Sequence, residues 1–311
     1  MRIVATDEVP PVAHEAFARL GEIEVAAPGD RHAIATAEVL IVRGTRVDAL
    51  LLARAGRLRA IARTGAGYDN VDVEAATRLG VPIVYAPGIG SRPIAEGTLA
   101  LILAAAKRLG ELGAAVHESG WAGRYGIVGA DIDGACLGVV GFGAIGREVG
   151  RLAAALGMHV IAHDPEVTHA PGMVPLPELL ARADVITIHC ALNDRTRGLI
   201  DREFLAGLKA GAILVNVARG AIVASEDAVA DALATGRLSA VALDVYPSEP
   251  PQPDHRLYRD PRVICTPHTV GLTRRWNHEV FNSLADGVER VLEGRRPANL
   301  LNPDALVERA L

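Results

Sequence analysis

Short runs of β-branched and aliphatic residues alternate with alanine- and leucine-rich stretches along the whole chain. The short runs have the length of buried strands, and the longer stretches have the composition of helices. This alternation is typical of parallel sheets with helices on both faces, so the sequence predicts an α/β fold. The first third is predicted to form one small doubly wound unit, with strands near Ile3-Val4-Ala5, Ile23-Glu24-Val25, Val39-Leu40-Ile41-Val42, Ala60-Ile61-Ala62 and Pro82-Ile83-Val84.

A second series of strands follows a helix predicted over residues 95–109 and a loop at Gly120-Trp121-Ala122-Gly123. It contains six predicted strands, the number in a complete Rossmann sheet. A last helix is predicted over residues 276–292, and a polar tail with prolines follows it. The six strands are predicted at residues 137–140, 159–163, 185–189, 213–217, 241–244 and 263–266.

The tail after the last helix is too short to form a domain, so we expect it to pack on the first unit. The Rossmann domain, residues 95–276, is then inserted into a domain made of residues 1–94 and 277–311. The chain crosses between the two domains near residues 92–96 and 271–276. We expect two such crossings to act as a hinge beside a cleft.

The composition excludes several classes of function. The 311 residues are 50% hydrophobic and 22% charged, with 32 basic and 37 acidic residues and a net charge of −5. This balance gives no positive surface for nucleic acid or an anionic membrane, so an anionic ligand needs a local site. Neither a run of about 20 apolar residues nor a signal-peptide core is visible, and we expect a cytoplasmic protein.

The cysteines do not indicate a metal site. Cys136, Cys190 and Cys265 are far apart in apolar runs, which favours reduced core thiols over disulfides or zinc ligands. Cys265-Thr266-Pro267-His268 could supply half of a metal site, but no second Cys/His pair accompanies it in the sequence. We therefore expect no metal.

A glycine-rich turn stands between the first strand of the Rossmann domain and a helix predicted over residues 147–156. It reads Gly141-Phe142-Gly143-Ala144-Ile145-Gly146. Gly141 permits the tight turn, Gly143 lets the backbone approach a pyrophosphate, and Gly146 allows close packing of helix and strand. The free N–H groups and the positive dipole at the helix N-terminus then attract the anion.

An acidic residue completes this dinucleotide pattern. Asp164 lies 21 residues after Gly143, at the end of the next predicted strand. A carboxylate at that place accepts hydrogen bonds from the ribose hydroxyls and repels a 2′-phosphate, and Glu166 adds to the repulsion. The pattern predicts NAD in preference to NADP. His189-Cys190 also ends a predicted strand; we expect it to line the adenosine side, with a packing role as the alternative.

A second glycine pair, in Thr64-Gly65-Ala66-Gly67, follows a predicted strand of the first unit. Tyr68-Asp69-Asn70 stands where a third glycine would be needed, so we expect no second dinucleotide site. The backbone N–H groups of Gly65, Ala66 and Gly67 are candidates for a small anion-binding nest. A plain turn capped by Asn70 or Asp72 is the alternative.

Three predicted strands of the Rossmann domain run into residues suited to catalysis. One leads to Arg219, one to Glu249 and one to His268. Because ligands of open α/β sheets bind beyond the carboxyl ends of strands, we expect these side chains to converge beside a nicotinamide. The alternative is that each is a solvated or structural residue. Their joint placement at three ends of one sheet favours convergence.

Each of the three residues has a suitable chemistry. Arg219 presents a planar fork that matches a carboxylate and can polarise a neighbouring carbonyl. Histidine titrates near neutral pH, so His268 can give and take a hydroxyl proton. Glu249 would bind the second ring nitrogen of His268 and favour its protonated form. The set suits hydride transfer at a carbon that bears an oxygen and a carboxylate.

These motifs resemble those of the D-isomer-specific 2-hydroxyacid dehydrogenase family, and the resemblance covers nearly the whole chain. Besides the glycine-rich turn and Asp164-Pro165, it is carried in order by residues 63–72, Ala95-Glu96, Asn216-Val217-Ala218-Arg219-Gly220, residues 242–250 and Thr266-Pro267-His268.

The resemblance implies a Rossmann NAD-binding domain, residues 95–276, inserted into a flavodoxin-like substrate-binding domain, residues 1–94 and 277–311. The family's catalytic Arg, Glu and His fall on Arg219, Glu249 and His268. Its carboxylate-binding loop falls on Gly65-Ala66-Gly67. Predicted cofactor contacts are the three glycines of the turn with Ala144, Ile145, Asp164, Pro165, His189, Cys190, Thr196, Val217, Ala218 and Asp244, of which Asp244 corresponds to the nicotinamide-amide contact.

The resemblance also implies an assembly. Family members are commonly homodimers through the NAD domain, so we expect residues 95–109 and the Trp121 loop at an interface. The chain stops soon after the last helix, and we expect it to lack the regulatory domain of long phosphoglycerate dehydrogenases.

The activity implied is NADH-linked interconversion of a small 2-keto acid and its D-2-hydroxy acid. Arg43 and Arg92 are candidates for binding a phosphate or second carboxylate, with surface arginines as the alternative. Phosphoglycerate, hydroxypyruvate and glyoxylate all remain possible substrates. Gly90 stands where many members carry Asn, so a possible side-chain contact to the substrate is lost. The subgroup of the family that oxidises formate pairs its histidine with Gln. Glu249 at this place argues against formate oxidation.

A different class of function is that of an NADH sensor that binds protein, similar to the corepressors that resemble this family. Those proteins retain the Arg, Glu and His, so the motifs do not separate a sensor from an enzyme. Long disordered extensions would favour the sensor, and this chain shows none.

Overall fold

The structure is a computed structural model that describes residues 1–118, 121, 124–167 and 169–308. Gly120, Ala122 and Gly123 of the predicted loop lie outside the described residues. By its internal contacts the chain divides into a first unit, Met1–Gly90 with Leu272–Leu311, and a second unit, Ser91–Gly271. None of the helices described is both long enough and apolar enough to span a membrane.

All strands belong to one of two parallel sheets. In chain order they are β1 Ile3–Ala5, β2 Ile23–Val25, β3 Val39–Val42, β4 Ala60–Arg63, β5 Ile83–Val84, β6 Cys136–Val140, β7 His159–His163, β8 Val185–Ile188, β9 Ala212–Asn216, β10 Leu238–Leu243 and β11 Val263–Cys265. This confirms the predicted α/β fold. β1, β2, β3 and β7 have the predicted bounds, and the ends of the other strands differ from the prediction by at most three residues.

The α-helices alternate with the strands, and short 3₁₀ turns occur at Arg124–Gly126 and Gly220–Ile222. In chain order the helices are α1 Pro11–Phe17, α2 Arg31–Ala35, α3 Ala49–Arg54, α4 Val73–Arg78, α5 Ser91–Ala106, α6 Leu109–Glu118, α7 Ala144–Ala155, α8 Leu176–Arg182, α9 Arg202–Gly207, α10 Glu226–Ala234, α11 Arg274–Leu292 and α12 Ala305–Glu308.

The helix predicted over residues 95–109 was wrong at both ends. α5 begins at Ser91, with Pro93 in its first turn, where the missing N–H of proline costs nothing. It ends at Ala106 because Arg108 adopts a left-handed conformation with φ 53°, and α6 then starts at Leu109. α7 likewise begins at Ala144, three residues before the predicted start, with Gly143 as its N-cap.

In the first unit the strand order is β2-β1-β3-β4-β5, which is the flavodoxin-like order. Both faces of the sheet are buried. α1 and α11 pack on one face through side chains such as Phe17 and Phe281. α2, α3 and α4 cover the other through side chains such as Ile34 and Leu51.

The last residues of the described chain pack on the sheet of the first unit. Leu301 N donates to Ile83 O at 2.8 Å, and the buried Asn302 side chain accepts from Ile83 N at 2.7 Å and donates to Val81 O at 3.0 Å. These bonds continue the pairing of edge strand β5, so the tail is part of this unit.

In the second unit the order is β11-β10-β9-β8-β6-β7. Met173 adds an isolated parallel bridge to Ala162, on the side of β7 away from β6. With Met173 counted as the third strand, the sheet has the Rossmann order 3-2-1-4-5-6 with one further strand. The order reverses between β6 and β8, and ligands of such sheets bind beyond the strand ends at that point.

Helices cover both faces of this second sheet. α5 and α7 pack on one face, where Leu99 and Val149 are buried against β6, β9 and β10. α8, α9 and α10 pack on the other, with Leu179 and Leu233 in the core. The loops after β6, β7, β8, β9, β10 and β11 therefore share one edge of the sheet, and they hold most of the predicted site residues.

Candidate functional site

The glycine-rich turn joins β6 to α7, and two of its three glycines are required by steric contacts. Gly141 has φ 91°, and a Cβ there would lie 2.6 Å from the carbonyl carbon of His189. A Cβ on Gly146 would overlap the carbonyl of Gly141. A Cβ on Gly143, in contrast, would have no atom within 4 Å. The turn is therefore closed on its protein side and open at Gly143, next to the free N–H groups of α7.

Asp164 follows β7 and is bonded to the same turn. Its Oδ2 accepts from Phe142 N at 2.7 Å, and its Oδ1 accepts from Glu166 N at 2.9 Å. A carboxylate offers about four acceptor sites, so both oxygens keep capacity for ribose hydroxyls. Asp164 thus shapes the turn and faces outward with unused lone pairs.

His189 and Cys190 follow β8 and lie against Gly141. Enclosure of the imidazole by protein lowers the pKa of His189 to about 3, so the ring is neutral, and its Nε2 is 2.8 Å from Thr187 Oγ1. Burial raises the pKa of the Cys190 thiol to about 11. Both side chains are uncharged at neutral pH, which suits contact with an adenosine and equally suits packing.

The segment after β9 is shaped by a fully buried asparagine that the prediction did not select. Asn216 donates through Nδ2 to Arg219 O at 3.0 Å and accepts through Oδ1 from Ala218 N at 3.1 Å. Arg219 Nη1 donates to Ala218 O at 2.8 Å. A Cβ on Gly220 would overlap the carbonyl of Tyr246. The Arg219 segment therefore lies directly on the segment that leads to Glu249.

Glu249 and His268 meet, although they follow different strands. His268 Nδ1 lies 2.9 Å from Glu249 Oε2, and Glu249 Oε1 accepts from Tyr246 N at 3.2 Å. Burial alone would raise the pKa of Glu249, but the bond and charge of His268, the Tyr246 N–H and the charge of Arg219 together hold it below its ordinary value. A carboxylate at Nδ1 keeps a proton on that nitrogen, so Nε2 is the atom left to exchange one.

Asp244, the predicted nicotinamide contact, is almost fully buried, with 2% of its surface exposed. Its Oδ1 accepts from Thr266 Oγ1 at 2.7 Å and from Thr269 N at 2.9 Å, and both its oxygens lie 3.2 Å from Val270 N. Most hydrogen bonds of the carboxylate are therefore made to the loop that carries His268. Oδ2 accepts fewer hydrogen bonds than Oδ1.

Thr196, a predicted cofactor contact, has several bonds within its own loop, and its role toward the cofactor stays a prediction. Its Oγ1 donates to Ala191 O at 2.6 Å and accepts from Asn193 N at 2.9 Å. The other predicted contacts in this unit lie where the elements place them: Ala144 and Ile145 in the first turn of α7, Pro165 after β7, and Val217 and Ala218 after β9.

In the first unit, the Gly65-Ala66-Gly67 loop follows β4 and is tied to the sheet. Gly65 O accepts from Ala86 N at 3.1 Å. Asn70 donates through Nδ2 to Arg43 O at 3.1 Å and accepts from Arg63 Nε at 3.1 Å, while Asp72 caps α4. The role of this loop as an anion nest stays a prediction.

The two candidate arginines stand in different surroundings. Arg43 lines a small cavity of the first unit with Glu8 and Thr64. Arg92 pairs with Glu96 at 2.5 Å and with Glu148 at 2.9 Å, which raises its pKa. A ligand at Arg92 would have to displace two carboxylates, and the role of both arginines stays a prediction.

Comparisons with known proteins identify relatives over the whole chain. Residues 99–270 match the model of the D-isomer specific 2-hydroxyacid dehydrogenase NAD binding domain. The chain is 38% identical to the D-3-phosphoglycerate dehydrogenase of Methanocaldococcus jannaschii over 97% of its own length and 59% of that protein. It is 35% identical to the glyoxylate reductase of Aeropyrum pernix, covering 98% of this chain and 97% of that one.

A solved structure extends the similarity to the fold. The TT0316 protein of Thermus thermophilus superposes with a TM-score of 0.88 at 36% identity, covering 97% of this chain and 100% of that one. The chain spans only about half the length of the phosphoglycerate dehydrogenases that it matches. It covers between 50% and 59% of the length of each of these relatives.

Proposed function

The chain belongs to the D-isomer specific 2-hydroxyacid dehydrogenase family, and on that premise we propose that it interconverts a small 2-keto acid and its D-2-hydroxy acid with NAD. The observation that carries the proposal is the 2.9 Å contact between His268 and Glu249, on which the charge of Arg219 also acts. An imidazole–carboxylate pair beside a guanidinium suits proton transfer at an oxygen next to a carboxylate.

The residues of the second unit fit the cofactor. The open space at Gly143 would take the pyrophosphate against the N-terminus of α7, a helix of 12 residues. The unused lone pairs of Asp164 would accept from the ribose hydroxyls. NADH, when bound, supplies the hydride that a 2-keto acid needs to become a 2-hydroxy acid.

Arg219 holds the substrate in this proposal. A guanidinium fork binds a carboxylate through two parallel hydrogen bonds, and its positive charge draws electrons from the adjacent carbonyl. Because Gly220 packs against Tyr246, the segment that carries the guanidinium is in direct contact with the segment that leads to Glu249. Substrate orientation is thereby linked to the acid–base pair.

His268 supplies the proton for reduction and takes it back for oxidation. Glu249 binds Nδ1 and leaves Nε2 as the donor atom. The negative charge of Glu249 stabilises the imidazolium before the proton is given to the substrate oxygen.

Oxidation of NADH in the presence of a panel of 2-keto acids tests this proposal. The panel contains glyoxylate, hydroxypyruvate and pyruvate, and the reverse assay uses 3-phosphoglycerate with NAD, because the relatives include a glyoxylate reductase and phosphoglycerate dehydrogenases. We expect at least one acid to turn over with a kcat above about 1 s⁻¹. NADH binding without turnover of any acid would instead support the protein-binding sensor.

Asp164→Ser is expected to weaken NADH binding by about 10-fold and to reduce the preference over NADPH, because the variant loses the acceptor for the ribose hydroxyls and the charge that repels a 2′-phosphate. Fluorescence titration with both cofactors measures the effect. Asp164→Asn is the matched control, since its amide oxygen still accepts from Phe142 N. Unchanged NADH affinity in Asp164→Ser would contradict the assignment.

Glu249→Gln is expected to lower kcat for keto acid reduction about 10-fold at neutral pH and to move the basic limb of its pH profile to lower pH. The Gln amide lacks the charge that stabilises the protonated imidazole. In the native protein the pKa of Glu249 lies below its ordinary 4.5, so this charge is present above that pH and is lost only as the pH falls through the lowered pKa. Identical basic limbs in kcat profiles of both proteins would contradict the role.

We also propose that the protein is a cytoplasmic homodimer that associates through the second unit. Large apolar side chains that are exposed close together in its sequence support this interface. They are Leu109 55%, Val116 54%, Trp121 62%, Tyr125 83% and Val128 72% exposed. The free thiols of Cys136, Cys190 and Cys265 support a reducing compartment. Sedimentation velocity of the purified chain tests the assembly, and a monomer at micromolar concentration would contradict it.

A further inference from the structure

His268 stands in a backbone conformation that needs support. Its φ is 55°, in the left-handed region that non-glycine residues rarely adopt. Its N–H donates to Thr266 O at 3.0 Å, which closes a tight turn across Pro267. Such conformations persist where the surrounding structure fixes them, and they cluster at functional sites.

Two residues after β10 bond to Thr266 from different sides. Tyr246 donates through its hydroxyl to Thr266 O at 3.0 Å, so this carbonyl accepts from both Tyr246 and His268. Thr266 Oγ1 donates to the buried Asp244 at 2.7 Å. We call Thr266 with these two partners the Thr266 anchor.

The backbone that follows His268 is also held in place by hydrogen bonds and packing. Asp244 accepts from the N–H groups of Thr269 and Val270, which follow His268. Val270 in turn packs on α5, where a Cβ on Gly97 would lie 3.1 Å from its carbonyl carbon and overlap its carbonyl oxygen. The backbone on both sides of His268 is therefore held, and the imidazole direction follows from it.

Tyr246 links the two members of the acid–base pair. Its backbone N–H donates to Glu249 Oε1 at 3.2 Å, and its hydroxyl donates to the carbonyl of Thr266. One residue with 7% of its surface exposed thus connects Glu249, through its backbone, to the loop of His268, through its side chain.

We propose that Tyr246 and Thr266 are positioning residues, which set the left-handed backbone of His268 and hold its imidazole against Glu249. They touch neither the substrate nor the cofactor in the proposed function, on which this inference rests. Their contribution is made through the geometry of the proton donor, so it appears in kcat and not in cofactor binding.

The chain offers a matched control for the hydroxyl of Tyr246. Tyr258 packs edge-on against the Tyr246 ring with centroids 5.5 Å apart, and its buried hydroxyl has no hydrogen-bond partner among the described residues. Tyr258→Phe and Tyr246→Phe remove the same atom from neighbouring rings. Tyr258→Phe removes an oxygen that has no hydrogen-bond partner among the described residues. Tyr246→Phe removes the oxygen that donates to Thr266 O in the Thr266 anchor.

Kinetics of Tyr246→Phe, Thr266→Val and the double variant test the proposal, with Tyr258→Phe alongside. We expect each single variant to lower kcat about 10-fold, and the double variant more, with the KM of the keto acid within about 2-fold of the native protein. The Kd of NADH should stay within about 2-fold in Tyr246→Phe, which leaves the bond between Thr266 and Asp244 in place. Tyr258→Phe should keep the native kcat. A native kcat in the double variant, or the same loss in Tyr258→Phe, would overturn the proposal.

A crystal structure of the double variant gives a readout that does not need turnover. We expect His268 to leave the left-handed region and its Nδ1 to move from Glu249 Oε2, now at 2.9 Å, beyond about 3.5 Å. If the double variant does not fold, Tyr246→Phe, which keeps the ring, is used in its place. An unchanged turn overturns the positioning role, whereas absence of turnover in the native protein overturns only the proposed activity.

Discussion

His268→Ala is expected to lower kcat for reduction of the preferred 2-keto acid by about 10³-fold while NADH still binds with native affinity. In the proposed function the imidazole gives its proton to the substrate oxygen, and an alanine leaves Glu249 without its partner at 2.9 Å. Most of the predicted cofactor contacts lie on the loops after β6, β7 and β8, away from His268, so we expect them to be retained. Stopped-flow oxidation of NADH and fluorescence titration measure the two quantities separately.

His255→Ala is the matched control for this variant. His255 is another imidazole of the second unit that lies near a carboxylate, with Nε2 3.6 Å from Asp227 Oδ1, but it belongs to the charged surface beside α10. It should keep the native kcat. If His268→Ala kept more than about a tenth of the native kcat, His268 would not be the proton donor.

Arg219→Ala is expected to lower kcat/KM by about 10²- to 10³-fold, mainly through KM, because truncation of one partner of a hydrogen-bonded charge pair costs about 2–5 kcal/mol. The substrate carboxylate loses both its fork and its counter-charge. Arg219→Lys keeps the charge without the planar fork, so its kcat/KM should lie between those of Arg219→Ala and the native protein. Equal kcat/KM in all three proteins would remove Arg219 from substrate binding.

Arg237→Ala controls for the loss of a guanidinium from the same unit. Its side chain donates to Leu208 O at 2.9 Å, at the opposite end of the sheet from Arg219. We expect its kinetics to match those of the native protein.

The fold was largely predictable because its signals are local. Each predicted run of β-branched residues became a strand. Two glycines of the turn are required sterically, because a Cβ on Gly141 would overlap the backbone of His189 and Cys190 and a Cβ on Gly146 would overlap the carbonyl of Gly141. Two features had no local signal. Met173 pairs through a single bridge, too short for any periodicity, and the break before α6 falls at Arg108, where neither glycine nor proline marks it.

The sequence predicted the three candidate catalytic residues of the site, but it did not predict the residues that hold their loops by hydrogen bonds. The rule that ligands bind at carboxyl ends of strands selects Arg219, Glu249 and His268. Two supporting residues were missed. Asn216 bonds to Ala218 and Arg219, two and three residues ahead, so its bonds are local in sequence. The Tyr246 hydroxyl bonds to Thr266, 20 residues away, and this bond becomes visible only when parallel strands bring the two loops together.

The ion pairing of one predicted candidate is partly indicated by the sequence. Arg92 stands four residues before Glu96, and oppositely charged residues at that spacing pair on a helix surface. The structure shows this pair and adds Glu148 from α7. The arginine therefore joins α5 to α7, a contact that the spacing within α5 partly indicates.

A crystal structure of the protein with NADH and oxamate, an unreactive analogue of a 2-keto acid, tests the central claim most directly. The account predicts that the oxamate carboxylate lies on the Arg219 guanidinium and that its amide-side carbonyl oxygen lies about 2.6–3.2 Å from His268 Nε2. The bond between His268 and Glu249 should persist in that complex. Oxamate bound away from Arg219, or an imidazole turned from its oxygen, would contradict the account.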